Sequence, residues 1–297
     1  MRIPNVTIST GVIQRLNRLK LRQNVLNDEI ATGQKISSAS DDPQAAVRVM
    51  RLRSEKMALQ QYSQNVDKLT GLAQASFASL NRLKALSDRS GELAASASGI
   101  ASVAERKAYA TELNEMIKSA IEQVNTKFNG DYIFSGQQTD ASSFSVTGTD
   151  AKPAAVTFSN VGGDPTKVRV SDTLEISGGT SEAENAQIGE FINNMIALRD
   201  AMEANDSAKI ATVRTNLITS EDHVVNAISQ NGAMQTRLEA LKQQNDARFG
   251  DVEQLVSREV DADLAQSMVK LSQTQTAYQA AVQSGAQIMK LSLLDYV

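Results

Sequence analysis

The sequence lacks several residues on which common kinds of site depend. It has no cysteine and no tryptophan, and its single histidine is His223. The absence of cysteine excludes disulfides, zinc ribbons, iron–sulfur clusters and cysteine nucleophiles. One histidine also excludes the zinc motif that places two imidazoles on one helix.

Proline and aromatic residues are scarce as well. Four prolines in 297 residues leave long stretches without a helix breaker, and aromatics are only 4% of the chain. Few large rings favour thin, elongated packing over a compact core. The net charge of -4 disfavours nucleic-acid binding, which needs a basic face. No run is apolar and long enough to suggest a membrane span, and the N-terminus lacks the apolar region of a signal peptide.

Both ends of the chain carry apolar residues at the alternating spacing of three and four that predicts a coiled-coil helix. We expect these residues to form an assembly seam, by packing on one another and on neighbouring copies. The seam comprises Leu16, Leu19, Leu26 and Ile30 near the N-terminus, and Leu264, Met268, Leu271, Tyr278 and Val282 near the C-terminus. Between the first and second predicted helices, Asp42 followed by Pro43 predicts a helix cap.

The middle of the chain has a different character. Half of the 16 glycines lie between residues 130 and 189. Short β-branched runs at 155–158, 167–170 and 173–176 are bounded by turn residues, which predicts a small antiparallel β insert. The predicted fold is therefore mainly α. Both chain ends form an elongated antiparallel helical coiled-coil rod, and a small central β-rich insert lies at its tip.

No pattern in the sequence indicates catalysis. His223 follows Glu221 and Asp222, but neighbouring residues of a helix point in different directions. The paired glycines at 162–163 and 178–179 lack the spacing of a phosphate-binding loop. We therefore expect no enzyme activity, no metal and no cofactor. A carboxylate-only enzyme site is a remote alternative, and its acids would be Asp150, Asp164, Asp172 and Glu175.

Two groups of motifs resemble one known family. The N-terminal run is IATGQKISSASDDPQAA, from Ile30 to Ala46. The C-terminal runs are EVDADLAQ from Glu259, LSQTQTAYQAA from Leu271 and SLL from Ser292. In this order, with a variable insert between them, they resemble the bacterial flagellin and hook-associated protein 3 (hook–filament junction) family.

The resemblance implies a domain layout and a setting. The implied parts are an inner-tube helix over 1–40, outer-tube helices over 41–136, an exposed β-rich insert over 137–188, outer-tube helices over 189–250 and an inner-tube helix over 251–297. It implies export through the flagellar type III apparatus without a cleaved signal peptide, and an extracellular location in the flagellum. The implied partners are further copies in a helical homo-oligomer, neighbouring flagellar axial proteins (the hook-side junction protein and flagellin) and an export chaperone, with no nucleic acid and no membrane.

Within this family, the hook–filament junction protein is the favoured interpretation. The run NGDYIFSG from Asn129, and Pro43 directly after Asp42, are typical of that member. The alternative is a main filament flagellin, although Gly91 before Glu92 and Leu93 departs from the flagellin receptor-binding pattern. A secreted adhesin that presents the β insert on a helical stalk is a more remote alternative.

Overall fold

A computed structural model describes residues 5–159 and 163–294, and most of this part of the chain is helical. The helices are α1 (Asn5–Thr32), α2 (Pro43–Ser98), α3 (Val103–Val124), α4 (Glu182–Glu203), α5 (Ser207–Val260) and α6 (Leu264–Leu294). The strands are β1 (Lys127–Phe128), β2 (Asp131–Tyr132), β3 (Phe144–Thr149), β4 (Lys152–Phe158), β5 (Val168–Arg169) and β6 (Glu175–Ile176). None of the described helices combines the length and the apolar character needed to cross a membrane.

The chain divides into two compact units. The central unit is Leu59–Ala247, and the terminal unit joins the residues up to Ala58 with those from Arg248 onward. The predicted domain limits place residues 1–4 and 295–297 in the inner-tube helices, and these residues lie outside the described ones. The limits of the five implied parts stay a prediction.

The central unit contains the hydrophobic core. α3 and α4 pack against each other and against β4, and apolar residues of α2 and α5 complete the cluster. Its largest fully buried side chains include Leu80, Leu113, Ile117, Phe191 and Met195. Both α3 and α4 begin with a capping box, Ser102 with Glu105 and Ser181 with Glu184, which satisfies backbone N–H groups of the first turn.

The β-rich segment consists of three antiparallel strand pairs in the described part of the chain: β1 with β2, β3 with β4, and β5 with β6. The β3–β4 hairpin pairs Phe144 with Phe158 and Val146 with Val156. Phe144 and Val156 belong to the main core, so one side of the hairpin packs against the central unit.

In the terminal unit, α1 packs antiparallel to α6. Val12 lies beside Gly285 at one end of the pair, and Glu29 lies beside Ser267 at the other. The connections that follow α1 and α5 bind each other. The Lys35 N–H donates to the Val260 carbonyl, and the Ala262 N–H donates to the Gly33 carbonyl, both at 2.8 Å.

The prediction of a mainly helical chain with a small β-rich insert is confirmed. Glycine does not end the two long helices. α2 continues through Gly91 to Ser98, and α5 continues through Gly232 and Gly250 to Val260. A helical glycine costs only about 1 kcal/mol relative to alanine, which the packing of a long helix can offset. Because α5 runs past Gly250 to Val260, the last helix begins only at Leu264.

Candidate assembly surface

The predicted N-terminal seam lies on one face of α1. Leu26 is buried, and Leu16, Leu19 and Ile30 are half-buried. This is the face that packs on α6, since Val12 at the same heptad spacing approaches Gly285. Packing in the single chain leaves three of the four seam residues partly accessible.

The predicted C-terminal seam is only partly buried in the single chain. Leu271 and Tyr278 are half-buried, whereas Leu264, Met268 and Val282 are exposed, Met268 by 55%. The structure thus brings Leu271 and Tyr278 to the inner side of α6 and leaves the other three outside. Whether these residues contact neighbouring copies stays a prediction.

Sequence reasoning missed the small and polar residues on the inner side of α6. Ser267, Thr274 and Gly285 are buried there, in the heptad register of Leu271 and Tyr278. The Ser267 hydroxyl donates to the Glu29 carboxylate at 3.1 Å. A Cβ on Gly285 would lie 2.9 Å from Val12 Cγ1. The heptad spacing was the available signal, but choosing apolar residues alone selected the exposed Met268 and Val282 in place of these small and polar residues.

The terminal unit exposes most of the chain's accessible apolar side chains. Among the described residues, eleven of the seventeen exposed large hydrophobics belong to it: Ile13, Leu21, Val25, Val47, Met50, Met57, Leu255, Leu264, Met268, Val269 and Val282. Both core clusters of described residues lie wholly in the central unit. Exposed apolar side chains that concentrate in one unit are candidates for contacts with other chains. The terminal unit is therefore the candidate assembly surface.

The loop before α2 is ordered by two carboxylates. Asp42 Oδ1 accepts from the N–H groups of Gln44 and Ala45 at 3.0 and 2.9 Å, and α2 begins at Pro43. Asp41 Oδ2 accepts from the N–H groups of Ser38 and Ser37 at 2.8 and 3.1 Å. These backbone donors lower the pKa of Asp41 below its ordinary value, because they stabilise the charged form.

Ion pairs join α2 to α5 within the terminal unit. Arg48 donates to both oxygens of Glu259, at 3.2 and 3.0 Å, and this hydrogen bonding lowers the pKa of Glu259. Lys56 binds Glu253 at 2.6 Å. Solvent screens exposed pairs of this kind, so they add little to stability.

The residues considered for catalysis do not come together as a site. The Asp164 carboxylate accepts from the Glu182 N–H, Asp172 accepts from the Tyr62 hydroxyl, and Glu175 pairs with Arg169. Asp150 is exposed. Within the described residues, no group of three or more acidic, histidine or cysteine side chains could hold a metal ion.

His223 is also isolated from any such group. It is half-buried on α5, and its Nδ1 atom has no hydrogen-bond partner in the described part of the chain. Of the four acids, Asp164 binds the start of α4, Glu175 pairs across the two strands β5 and β6, and Asp172 binds a tyrosine of α2. The carboxylate-only enzyme site therefore has no structural support.

Comparison with known proteins points to one kind of protein. Residues 7–139 match the model of the bacterial flagellin N-terminal helical region. Polar flagellin C of Vibrio parahaemolyticus is 28% identical over 263 residues, covering 77% of this chain and 65% of that flagellin. The chain thus spans less than two thirds of the length of this relative.

Two solved structures share the fold. One is described as a flagellar hook-associated protein from Vibrio parahaemolyticus, with a TM-score of 0.64, 19% identity, and coverage of 74% of this chain and 100% of the other. The other is FlgL of Bacillus cereus, with a TM-score of 0.60, 16% identity, and coverage of 70% and 99%.

Flagellins and hook-associated proteins, the proteins that this chain matches, are structural proteins and not enzymes. These matches confirm the predicted resemblance to the bacterial flagellin and hook-associated protein 3 family. Proteins of this type belong to the flagellum, an extracellular appendage.

Proposed function

We propose that this chain is a self-assembling subunit of the flagellar axial tube, in which the terminal units of neighbouring copies pack on one another. The main support for this proposal is the concentration of exposed apolar side chains in the terminal unit, whereas the described core clusters lie in the central unit. Burying a large apolar side chain contributes about 1.5–3 kcal/mol, so several together are enough to drive association.

We propose the hook–filament junction as its place in the tube. The sequence motifs favour this member, and the fold is shared with FlgL and with a hook-associated protein. Its neighbours would then be the hook-side junction protein and flagellin. Export without a cleaved signal peptide, with the help of a chaperone, belongs to the same proposal. The alternative is a main filament flagellin, which the match to polar flagellin C supports.

Replacement of an outward-facing residue of α6 tests assembly without disturbing the fold of the single chain. Met268 is 55% exposed, so Met268→Asp should leave the melting temperature unchanged while abolishing incorporation into the flagellum. Leu271→Asp should abolish incorporation too, but it also disturbs the α1–α6 packing. The matched control is Ile218→Asp, because Ile218 is similarly exposed at 54% but lies in the central unit. Normal incorporation of the Met268→Asp variant would overturn the proposal.

Electron microscopy of the purified chain in polymerising salt distinguishes the junction from the filament. Long uniform tubes built from this chain alone would identify a filament subunit. Short rings or layers that stop growing, from a chain whose circular dichroism is helical, would support the junction. The adhesin alternative predicts normal flagella and a loss of binding when exposed residues of β3 are replaced.

A further inference from the structure

The methionines of this chain differ in exposure between the two units. Among the described side chains, the three methionines of the terminal unit are exposed, Met50 by 69%, Met57 by 65% and Met268 by 55%. The methionines of the central unit are buried or half-buried, and they are Met116, Met195, Met202 and Met234. Well-exposed thioether groups are therefore confined, in the described part of the chain, to the candidate assembly surface.

Met50 and Met57 lie on one face of α2. They are seven residues apart, and the exposed Val47 lies three residues before Met50, so the three form an apolar stripe at heptad spacing. The buried Val49 and Leu59 lie on the opposite face of the same stretch. An exposed heptad stripe is suited to receive another helix. Methionine is well adapted to such a contact, because its apolar side chain is flexible and polarisable.

Hydrogen peroxide converts a methionine thioether into a sulfoxide. One oxygen atom passes from the peroxide to the sulfur: the O–O bond breaks, an S–O bond forms, the sulfur loses two electrons, and the peroxide is reduced to water. The product is polar and chiral, whereas the thioether is apolar. The chain contains no cysteine, so no thiol competes for the oxidant. An exposed methionine reacts before a buried one, since the peroxide must reach the sulfur.

We propose that Met50, Met57 and Met268 are a modification site, whose oxidation to sulfoxides by peroxide blocks the assembly of free subunits. This inference rests on the proposed function, because the modified side chains belong to the surface through which copies pack. An oxidised surface would bury polar S–O groups between copies without hydrogen-bond partners, which opposes association. The fold of the single chain stays intact, because the core methionines are shielded and the modified side chains already lie in solvent.

Peptide mapping by mass spectrometry shows which methionines react. The full chain is treated with hydrogen peroxide under native conditions, and each sulfoxide is located by the added mass of one oxygen atom. Met50, Met57 and Met268 should react about tenfold or more faster than the buried methionines of the central unit, because a buried sulfur is reached only after local opening. In urea the difference should disappear. Equal rates in the native chain would overturn the proposed selectivity.

Sedimentation in polymerising salt measures the effect of the sulfoxides on assembly. Oxidation should raise the critical concentration for assembly by about tenfold or more, because several apolar side chains of the surface become polar. The melting temperature should not change, since the oxidised side chains are exposed in the single chain. Treatment with methionine sulfoxide reductases A and B, which together reduce both sulfoxide epimers, should restore assembly.

The matched control is the triple variant Met50→Leu, Met57→Leu, Met268→Leu. Leucine is similar in volume to methionine and has no sulfur to oxidise, so this variant should assemble like the unmodified chain both before and after peroxide treatment. It also controls for Met1 and Met289, whose side chains lie outside the described ones. Loss of assembly by the triple variant after peroxide treatment would overturn the assignment to these three methionines.

The outcomes separate the two proposals. A chain that carries the three sulfoxides and still assembles like the untreated chain would overturn the inference and leave the proposed function standing. An untreated chain that forms no tubes, rings or layers and is not incorporated into flagella would overturn the proposed function itself.

Discussion

Asn193 of α4 binds both backbone polar groups of Val156 in β4. The Val156 N–H donates to Asn193 Oδ1 at 2.8 Å, and Asn193 Nδ2 donates to the Val156 carbonyl at 2.7 Å. One side-chain amide thus takes the place of a further strand at the outer edge of the β3–β4 hairpin. Occupied edge groups cannot pair with another chain, so this contact also protects the hairpin from edge-to-edge association.

Replacement of Asn193 should destabilise the central unit. Asn193→Leu leaves the N–H and carbonyl of Val156 without partners, at about 1–3 kcal/mol for each buried group. Asn193→Asp keeps an acceptor for the N–H and loses the donor. The stability of this variant should therefore lie between that of Asn193→Leu and that of the native chain. Urea denaturation followed by circular dichroism measures the difference. Equal stability of the Leu and Asp variants would contradict the two-bond interpretation.

Arg199 should be among the most sensitive residues of the core. Its buried guanidinium donates to the Pro153 carbonyl at 2.7 Å, to Asn114 Oδ1 at 3.0 Å and to Asp200 Oδ1 at 2.7 and 2.9 Å. Arg199→Met fills similar space but removes every donor, so we expect a loss of about 2–5 kcal/mol. Thermal unfolding measures it.

The matched control for Arg199 is Arg89→Met. Arg89 is also in the central unit, but its side chain is half exposed and it pairs with Glu92 and Glu112 on the surface. Solvent screens surface pairs of this kind, so the control should change stability little. If Arg199→Met lost as little stability as Arg89→Met, the buried hydrogen bonds of Arg199 would not stabilise the fold.

These side chains show where sequence reasoning ends. The seam on α1 followed from apolar spacing, because Leu16, Leu19 and Leu26 repeat with the helix. Asn193 and Arg199 gave no signal, since their partners Val156 and Pro153 lie far away in the sequence. On α6, Met268 looked equivalent to Leu271, and only the packing of α1 separates an outer from an inner residue. Helical spacing can be recognised from the sequence alone, whereas contacts between residues far apart in the chain cannot.

The contact between Gly285 and Val12 should make α6 intolerant of a side chain at this position. Gly285→Leu would place atoms within 2.9 Å of Val12 Cγ1, so α6 would be displaced from α1. We expect faster hydrogen exchange in both helices and loss of polymerisation. Val12→Ala should make room and partly restore packing in the Val12→Ala, Gly285→Leu double variant.

Gly11→Ala is the control for that series. A Cβ at Gly11 meets nothing within 4 Å, so alanine should gain helix stability, by up to about 1 kcal/mol, and leave exchange in α6 unaffected. If Gly285→Leu behaved like Gly11→Ala, the close approach of the two helices would not limit the residue at position 285.

The loop that precedes α2 should weaken in acid. The N–H groups of Ser38 and Ser37 hold the pKa of Asp41 below its ordinary value of 3.8. A carboxyl whose pKa is lowered in the folded state stabilises that state above its unfolded pKa, and the stabilisation is lost as the pH falls through the lowered value.

Carbon NMR of chain labelled at aspartate should give a titration midpoint for Asp41 below 3.8. Asp41→Asn should lower stability near neutral pH and make no difference at pH values below that midpoint. A midpoint for Asp41 at or above 3.8 would mean that the backbone of Ser37 and Ser38 does not bind the carboxylate in solution.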